Sequence, residues 1–338
     1  MIAVSVAKPH DLRLIEAQMP VVGPGDVLVR VLRAGICGSD MHIFHGSNPF
    51  AQYPRIIGHE FAGEIVEVGP QVTGFAAGER VVVDPVVSCG RCYPCRVGRP
   101  NVCAHLQVMG VHRDGGFRSF ISVPAGNAVK LHAQTPIGIG ALAEPFSIAA
   151  NILGRTGCGP DDTVLLYGAG TVGVTVLQVA KMKGARVIMA DPDRARLERA
   201  LGFGADKVLQ SGVDDITSAV APETEGLGPT LVIDCAGVPA LLEEACRVAS
   251  PAGRVGIMGF SPAPCNISQQ EIVRKELTLY GSRLNRGLIP EVVGWLESGK
   301  LKPEAMITQT FAAKDVVAAF ELFEKEPGKT IKIQLDFS

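Results

Sequence analysis

Thr163-Val164-Leu165-Leu166-Tyr167-Gly168-Ala169-Gly170-Thr171-Val172-Gly173 is a short apolar run that passes directly into the pattern G-x-G-x-x-G. In a chain with 39 glycines the pattern alone carries little weight. Its position, after a strand-like run and before a helical stretch over 172–183, gives it meaning. Outward from it the same rhythm repeats. Near-continuous apolar runs at 186–190, 230–234 and 254–258 alternate with helical stretches at 194–201 and 240–249. Runs of that kind suit strands buried on both faces, and strand–helix alternation predicts a doubly wound parallel sheet. A further strand at 277–280 is expected to close it.

The glycines fit a dinucleotide site. Gly168 makes the turn, Gly170 lets the backbone approach a pyrophosphate, and Gly173 lets helix and strand pack closely. Thr171 and Val172 open the helix whose positive N-terminus would face the phosphates. The next strand ends at Asp191, at the spacing of about twenty residues expected for the ribose-binding acid. A carboxylate there favours NAD over its 2′-phosphorylated form. Arg194 and Arg196 keep a phosphate-tolerant reading open.

The first third reads differently. Short β-branched runs at 27–32, 63–68 and 80–83 are bounded by turn signals such as Gly23-Pro24-Gly25 and Gly69-Pro70, which predicts a small barrel or sandwich with long loops. At 338 residues two domains are the natural expectation. The formal net charge of −2 gives no reason to expect nucleic acid or an anionic membrane as partner. No basic leader precedes 2–7 and no uninterrupted apolar run is long enough to span a bilayer, so a cytoplasmic protein is expected.

Four of the nine cysteines fall in Cys89-x2-Cys92-x2-Cys95-x7-Cys103, in a loop made pliable by Gly90, Pro94, Gly98 and Pro100. Four soft ligands on one loop fit a closed tetrahedral site, for which zinc is the usual occupant. Such a site holds a loop in place. A second set comes from distant segments: Cys37 in Gly35-Ile36-Cys37-Gly38-Ser39-Asp40-Met41-His42, and His59 and Glu60 in Gly58-His59-Glu60. Three protein ligands with one open position make a catalytic zinc. Glu144, in Ala143-Glu144-Pro145-Phe146, is a further carboxylate that could reach the same metal.

These motifs, together with G-K-T-I-K at 328–332, occur in the order seen in the zinc-containing medium-chain dehydrogenases, which the chain resembles over essentially its whole length. Within that family it resembles the polyol, threonine and sugar-acid dehydrogenase branch. Tyr53-Pro54-Arg55, Val111-His112-Arg113-Asp114-Gly115-Gly116-Phe117 and Gly281-Ser282-Arg283 carry a finer likeness to the starvation-sensing zinc oxidoreductases and L-galactonate 5-dehydrogenases. The resemblance implies an α/β protein: a GroES-like, β-rich catalytic domain from 1–150 and 286–338, and a Rossmann domain over 151–285. It implies a catalytic zinc on Cys37, His59 and a carboxylate, one structural zinc, and a homo-oligomer (dimer or tetramer). The 147–154 stretch lacks the cysteine that supplies the third ligand in alcohol dehydrogenases of this family, so Glu60 or Glu144 completes the shell. Ser39 is then placed to accept the alcohol proton, His42 to pass it to solvent, and Asp40 to fix the tautomer of His59.

The expected reaction moves a hydride between NAD and a secondary alcohol of a small polar substrate. A sugar acid is the preferred substrate, with Arg283, Arg113 and Arg118 as cations for its carboxylate. A neutral polyol or L-threonine is the alternative, and a sensor that binds NAD and a metabolite without turnover is the rival of another class. A zinc-free quinone or enone reductase would lack both donor sets.

Overall fold

The computed structural model describes residues 1–338, and they divide into two compact units. One comprises Met1–Ser147 and Asn285–Ser338, the other Ile148–Leu284.

In the second unit six parallel strands lie in the spatial order Lys207–Gln210, Arg186–Asp191, Thr163–Tyr167, Leu231–Asp234, Arg254–Ile257, Thr278–Gly281. The chain starts in the middle, winds to one edge, returns and winds to the other. Strand order therefore reverses beside Thr163–Tyr167, at whose end the glycine motif sits; such switch points are where open α/β sheets bind ligands. The central strands are sealed: Val164 to Tyr167, Val187 to Ala190 and Leu231 to Ile233 are all buried. The connecting helices Thr171–Met182, Arg194–Gly202 and Pro239–Val248 depart from the sequence expectation by only a residue or two. Lys207–Gln210 went unread in the sequence because an edge strand four residues long, with only Leu209 buried, lacks the continuous apolar run of its neighbours.

The first unit is built on a seven-stranded, mainly antiparallel sheet. Its path runs Ala128–Lys130, Arg80–Val83, Glu60–Val68, Asp26–Gly35, Lys332–Asp336, Ile307–Ala312, with Phe120–Pro124 also paired to Asp26–Gly35. A three-stranded sheet from Asp11–Glu16, Ile2–Lys8 and Arg55–Ile56 adjoins it in sequence. The C-terminal strand Lys332–Asp336 thus lies beside Asp26–Gly35, pairing Gln334 with Gly35. This register brings the last residues of the chain to the segment that carries Cys37.

The change of unit falls inside the helix Ala143–Thr156 and not in a flexible linker, so no composition signal marks it. The helical stretch Ile137–Thr156 has the length and mean apolarity of a membrane span, but Glu144 and Arg155 interrupt it and 78% of its most apolar window is buried within the protein, as in a core helix.

Candidate metal centres and dinucleotide site

Cys37 sits at the N-terminus of the helix Gly38–Phe44 and forms a reciprocal cap with Asp40. The Cys37 backbone N–H donates to Asp40 Oδ2 at 2.9 Å, while Asp40 Oδ1 accepts from the Gly58 N–H at 3.2 Å. One wholly buried carboxylate therefore ties together the two segments that carry Cys37 and His59. Asp40 Oδ1 also lies 3.6 Å from His59 Nδ1, an ion-pair contact and not a hydrogen bond. On the other side of the ring, His59 Nε2 is 3.2 Å from Ser39 Oγ. Nδ1 faces Asp40, so a ligand to His59 enters at Nε2, beside the serine hydroxyl. Gly58 is required here: its φ is +92°, and a Cβ would collide with the Phe117 ring.

The donor atoms of Cys37, His59 and Glu60 all lie within 4.8 Å of one another. Glu60 is 1% exposed, and Lys332 Nζ donates to its Oε1 at 2.8 Å and Oε2 at 2.6 Å. Glu144 is buried close by. Burial pushes its carboxyl up to about 8, with repulsion from Glu60 and Asp84 adding to the rise and the cations His59 and Lys332 opposing it. Burial opposes a charged His59, yet Asp40 and Cys37 together hold it well above its ordinary pKa. The cluster thus gathers a thiol, an imidazole and several carboxylates around one buried ammonium. That surplus of anionic donors, buried except for the half-exposed Cys37, is the chemistry a divalent cation satisfies.

The second set is more compact in sequence. Cys89, Cys92, Cys95 and Cys103 also place their sulfurs within 4.8 Å of one another; Cys92 Sγ is 3.4 Å from Cys95 Sγ and 3.7 Å from Cys103 Sγ. Backbone N–H groups point at the sulfurs: Cys89 and His105 donate to Cys103 Sγ at 3.3 Å each, and Ala104 donates to Cys92 Sγ at 3.5 Å. Such donors favour thiolates, and those to Cys92 bring its thiol down to about 6. Four thiols with amide donors fit a closed zinc site.

At the dinucleotide motif Gly168 has φ +98°, and a Cβ on Gly173 would strike the Gly168 carbonyl oxygen. The helix Thr171–Met182 has Gly170 at its N-cap with no side-chain cap, and Thr171, Val172 and Gly173 form its first turn, the positive end of a helix. Asp191, nearly buried, accepts the Ala169 N–H at 2.7 Å and the Asp193 N–H at 2.8 Å. Each oxygen keeps a lone pair for a ribose hydroxyl. Arg196 Nη1 lies 4.0 Å from Asp191 Oδ2, so the two opposite charges are partly matched.

Of the remaining candidates, His42 is exposed with Nδ1 3.0 Å from Ser47 Oγ. Arg113 is exposed, and Arg283 lies over the Phe260 ring at 5.7 Å. Arg118 is otherwise engaged: Nε donates to the Phe120 carbonyl at 2.8 Å, Nη1 lies 3.8 Å from Asp114, and the side chain is 12% exposed. Its backbone bridges to Ala3, so of the three arginines expected near substrate it is the one with partners in the sheet. Sequence reading missed Lys332. The signal was present in G-K-T-I-K, but nothing in one sequence says that this lysine points inward.

Comparison with known proteins agrees with the geometry. The alcohol dehydrogenase GroES-like domain profile matches residues 23–133, and the zinc-binding dehydrogenase profile matches 171–298. The chain belongs to the zinc-type, medium-chain alcohol dehydrogenase family, and it is a zinc-dependent, NAD-linked dehydrogenase acting on an alcohol. It is 46% identical to the starvation-sensing protein RspB of Escherichia coli K12 over 100% of both chains. It is 37% identical to the L-threonine 3-dehydrogenase of Pyrococcus horikoshii (98% of this chain, 97% of that one) and 32% identical to the L-galactonate-5-dehydrogenase of E. coli K12 (93% and 92%). The crystal structure of an rspB alcohol dehydrogenase from E. coli CFT073 with NADH superposes with a TM-score of 0.95 at 46% identity, covering 99% of each chain.

Proposed function

We propose that this dehydrogenase oxidises a secondary alcohol of a sugar acid, with Cys37, His59 and a glutamate holding the catalytic zinc and Cys89, Cys92, Cys95 and Cys103 the structural one. The observation that carries the reading is the Cys37, His59 and Glu60 cluster with Ser39 Oγ 3.2 Å from His59 Nε2. Zinc bound there supplies Lewis acidity to the alcohol, and NAD supplies the hydride acceptor.

The chain's own groups do the rest. Ser39 accepts the alcohol proton, because its hydroxyl flanks the face of His59 where a ligand enters. His42, three residues on and so on the same helical face, releases that proton to solvent, to which it is exposed. Asp40 holds His59 through its Nδ1 side and keeps both ligand segments in register. The amides of Thr171, Val172 and Gly173 take the pyrophosphate, and Asp191, restrained by Arg196, takes the adenosine ribose. Arg283 and Arg113 are the cations proposed for the substrate carboxylate. That feature is common to sugar acids and threonine, so relatedness to a threonine dehydrogenase keeps L-threonine as the second reading. A homo-oligomer located in the cytoplasm completes the proposal.

The test is zinc per chain together with NAD-linked turnover on aldonic acids, neutral polyols and L-threonine. About two zinc ions per chain are expected from the two donor sets, with aldonate the best substrate and Cys37→Ser abolishing turnover while NADH still binds. Turnover on L-threonine alone would replace the sugar acid. Full activity in zinc-free Cys37→Ser protein would overturn the metal assignment, and absence of turnover in metal-replete protein would favour a sensor.

A further inference from the structure

The Glu60–Lys332 pair is the most deeply buried ion pair in the chain, with both side chains 1% exposed. A buried ammonium is rare unless its donors are satisfied, and here all are placed. Two go to the Glu60 oxygens at 2.8 and 2.6 Å, and a third reaches the Ile36 carbonyl at 2.9 Å. Ile36 precedes Cys37, and Glu60 follows His59. One nitrogen therefore braces both ligand-bearing segments, as Asp40 does through different groups. The brace is set by strand register, since Lys332 opens the strand whose Gln334 pairs with Gly35. Gly35 makes the room: a Cβ there would collide with Glu60 Oε2 and lie 3.2 Å from Lys332 Cδ.

We infer that Lys332 is a positioning residue that holds Glu60 as a weak, displaceable ligand, keeping one coordination position of the catalytic metal open to substrate. The inference rests on the assignment of Cys37 and His59 as metal ligands. Its physical basis is competition for one carboxylate. Both Glu60 oxygens already accept from Lys332, and in so buried a pair the ammonium offsets much of the charge that would bind a metal. A carboxylate so engaged is drawn toward the ammonium and is a weaker donor. Without Lys332, both Glu60 oxygens lose the ammonium that engages them and are left to the metal. The carboxylate would then bind tightly and fill the position substrate needs.

The experiment measures zinc release from the holoenzyme to a chromogenic chelator, and the visible spectrum of the Co²⁺-substituted enzyme. Cys37→Ser first identifies the zinc belonging to this site; if Cys37→Ser loses none, the metal assignment fails and not the role of Lys332. Lys332→Met is expected to slow release of that zinc at least ~10-fold, to weaken the Co²⁺ bands as coordination number rises, and to lower kcat. Lys332→Arg, which keeps the charge, should restore the wild-type spectrum. In a Glu60→Gln background, Lys332→Met should have no further effect on release. Unchanged or faster release from Lys332→Met overturns the inference, because a merely structural lysine would loosen the site. Should Lys332→Met fail to fold, Glu60→Gln alone decides. A change in zinc affinity of about three-fold or less agrees with a weak ligand, and a loss of ~10-fold or more overturns it.

Discussion

At the scale of the residue, arginines separate by what already holds them. Arg118 donates to a backbone carbonyl and neighbours Asp114, and Arg55 donates to the same aspartate at 3.1 Å. A guanidinium in such a network gains nothing by turning to a ligand. Arg283 is placed differently, with its planar group over the Phe260 ring and burial lowering its pKa. A guanidinium over a ring face presents a planar cation whose fork matches the geometry of a carboxylate. Arg283→Ala is therefore expected to raise KM for an aldonate about 10-fold or more while changing KM for a neutral polyol little. Steady-state kinetics on both substrates check this, and equal effects on the two would remove the arginine from substrate recognition. The sequence marked both arginines alike, because residue type is legible there and partners are not. The same holds for Lys332 and Glu60, which stand 272 positions apart along the chain.

At the scale of the element, the loop from Cys89 to Cys103 is a segment with little core of its own. Its helix Tyr93–Arg96 has no buried residue, and Tyr93, Val97 and Val102 are exposed. Among residues 89–103 only Asn101 and Cys103 are buried, so the loop has little apolar burial to order it by itself. Cys92→Ser should remove about one zinc per chain and lower Tm by several degrees, with the ranking of substrates unchanged. Metal analysis and calorimetry check it; undiminished zinc and Tm would show that the loop stands by itself. This element was readable in advance because its four cysteines are close in sequence. The glycine motif was readable for the same reason: strand, turn and helix are consecutive, and the collision of a Gly173 side chain with Gly168 is local. The edge strand Lys207–Gln210 was not, since its character comes from pairing with Arg186–Asp191.

At the scale of the whole molecule, the parallel sheet ends in Thr278–Gly281, whose outer edge has no partner strand within the chain. Thr278 and Leu279 are exposed there, on the kind of open edge proteins tend to cover. The homo-oligomer proposed above would use that edge, so Leu279→Pro should shift the protein toward monomer in sedimentation while leaving each unit folded. An unchanged sedimentation coefficient would place any oligomer contact elsewhere. Legible in the sequence were the features whose parts are neighbours along the chain: the parallel sheet, the glycine turn and the four-cysteine loop, together with the donor types Cys37, His59 and Glu60 offer. Only the tertiary structure decided which of those groups are held and by what. Asp40 between two ligand segments, Lys332 on Glu60, and Arg118 bound into its sheet all depend on strand register between distant residues. Register is fixed by burial of whole faces, a collective property that no single position in the sequence records.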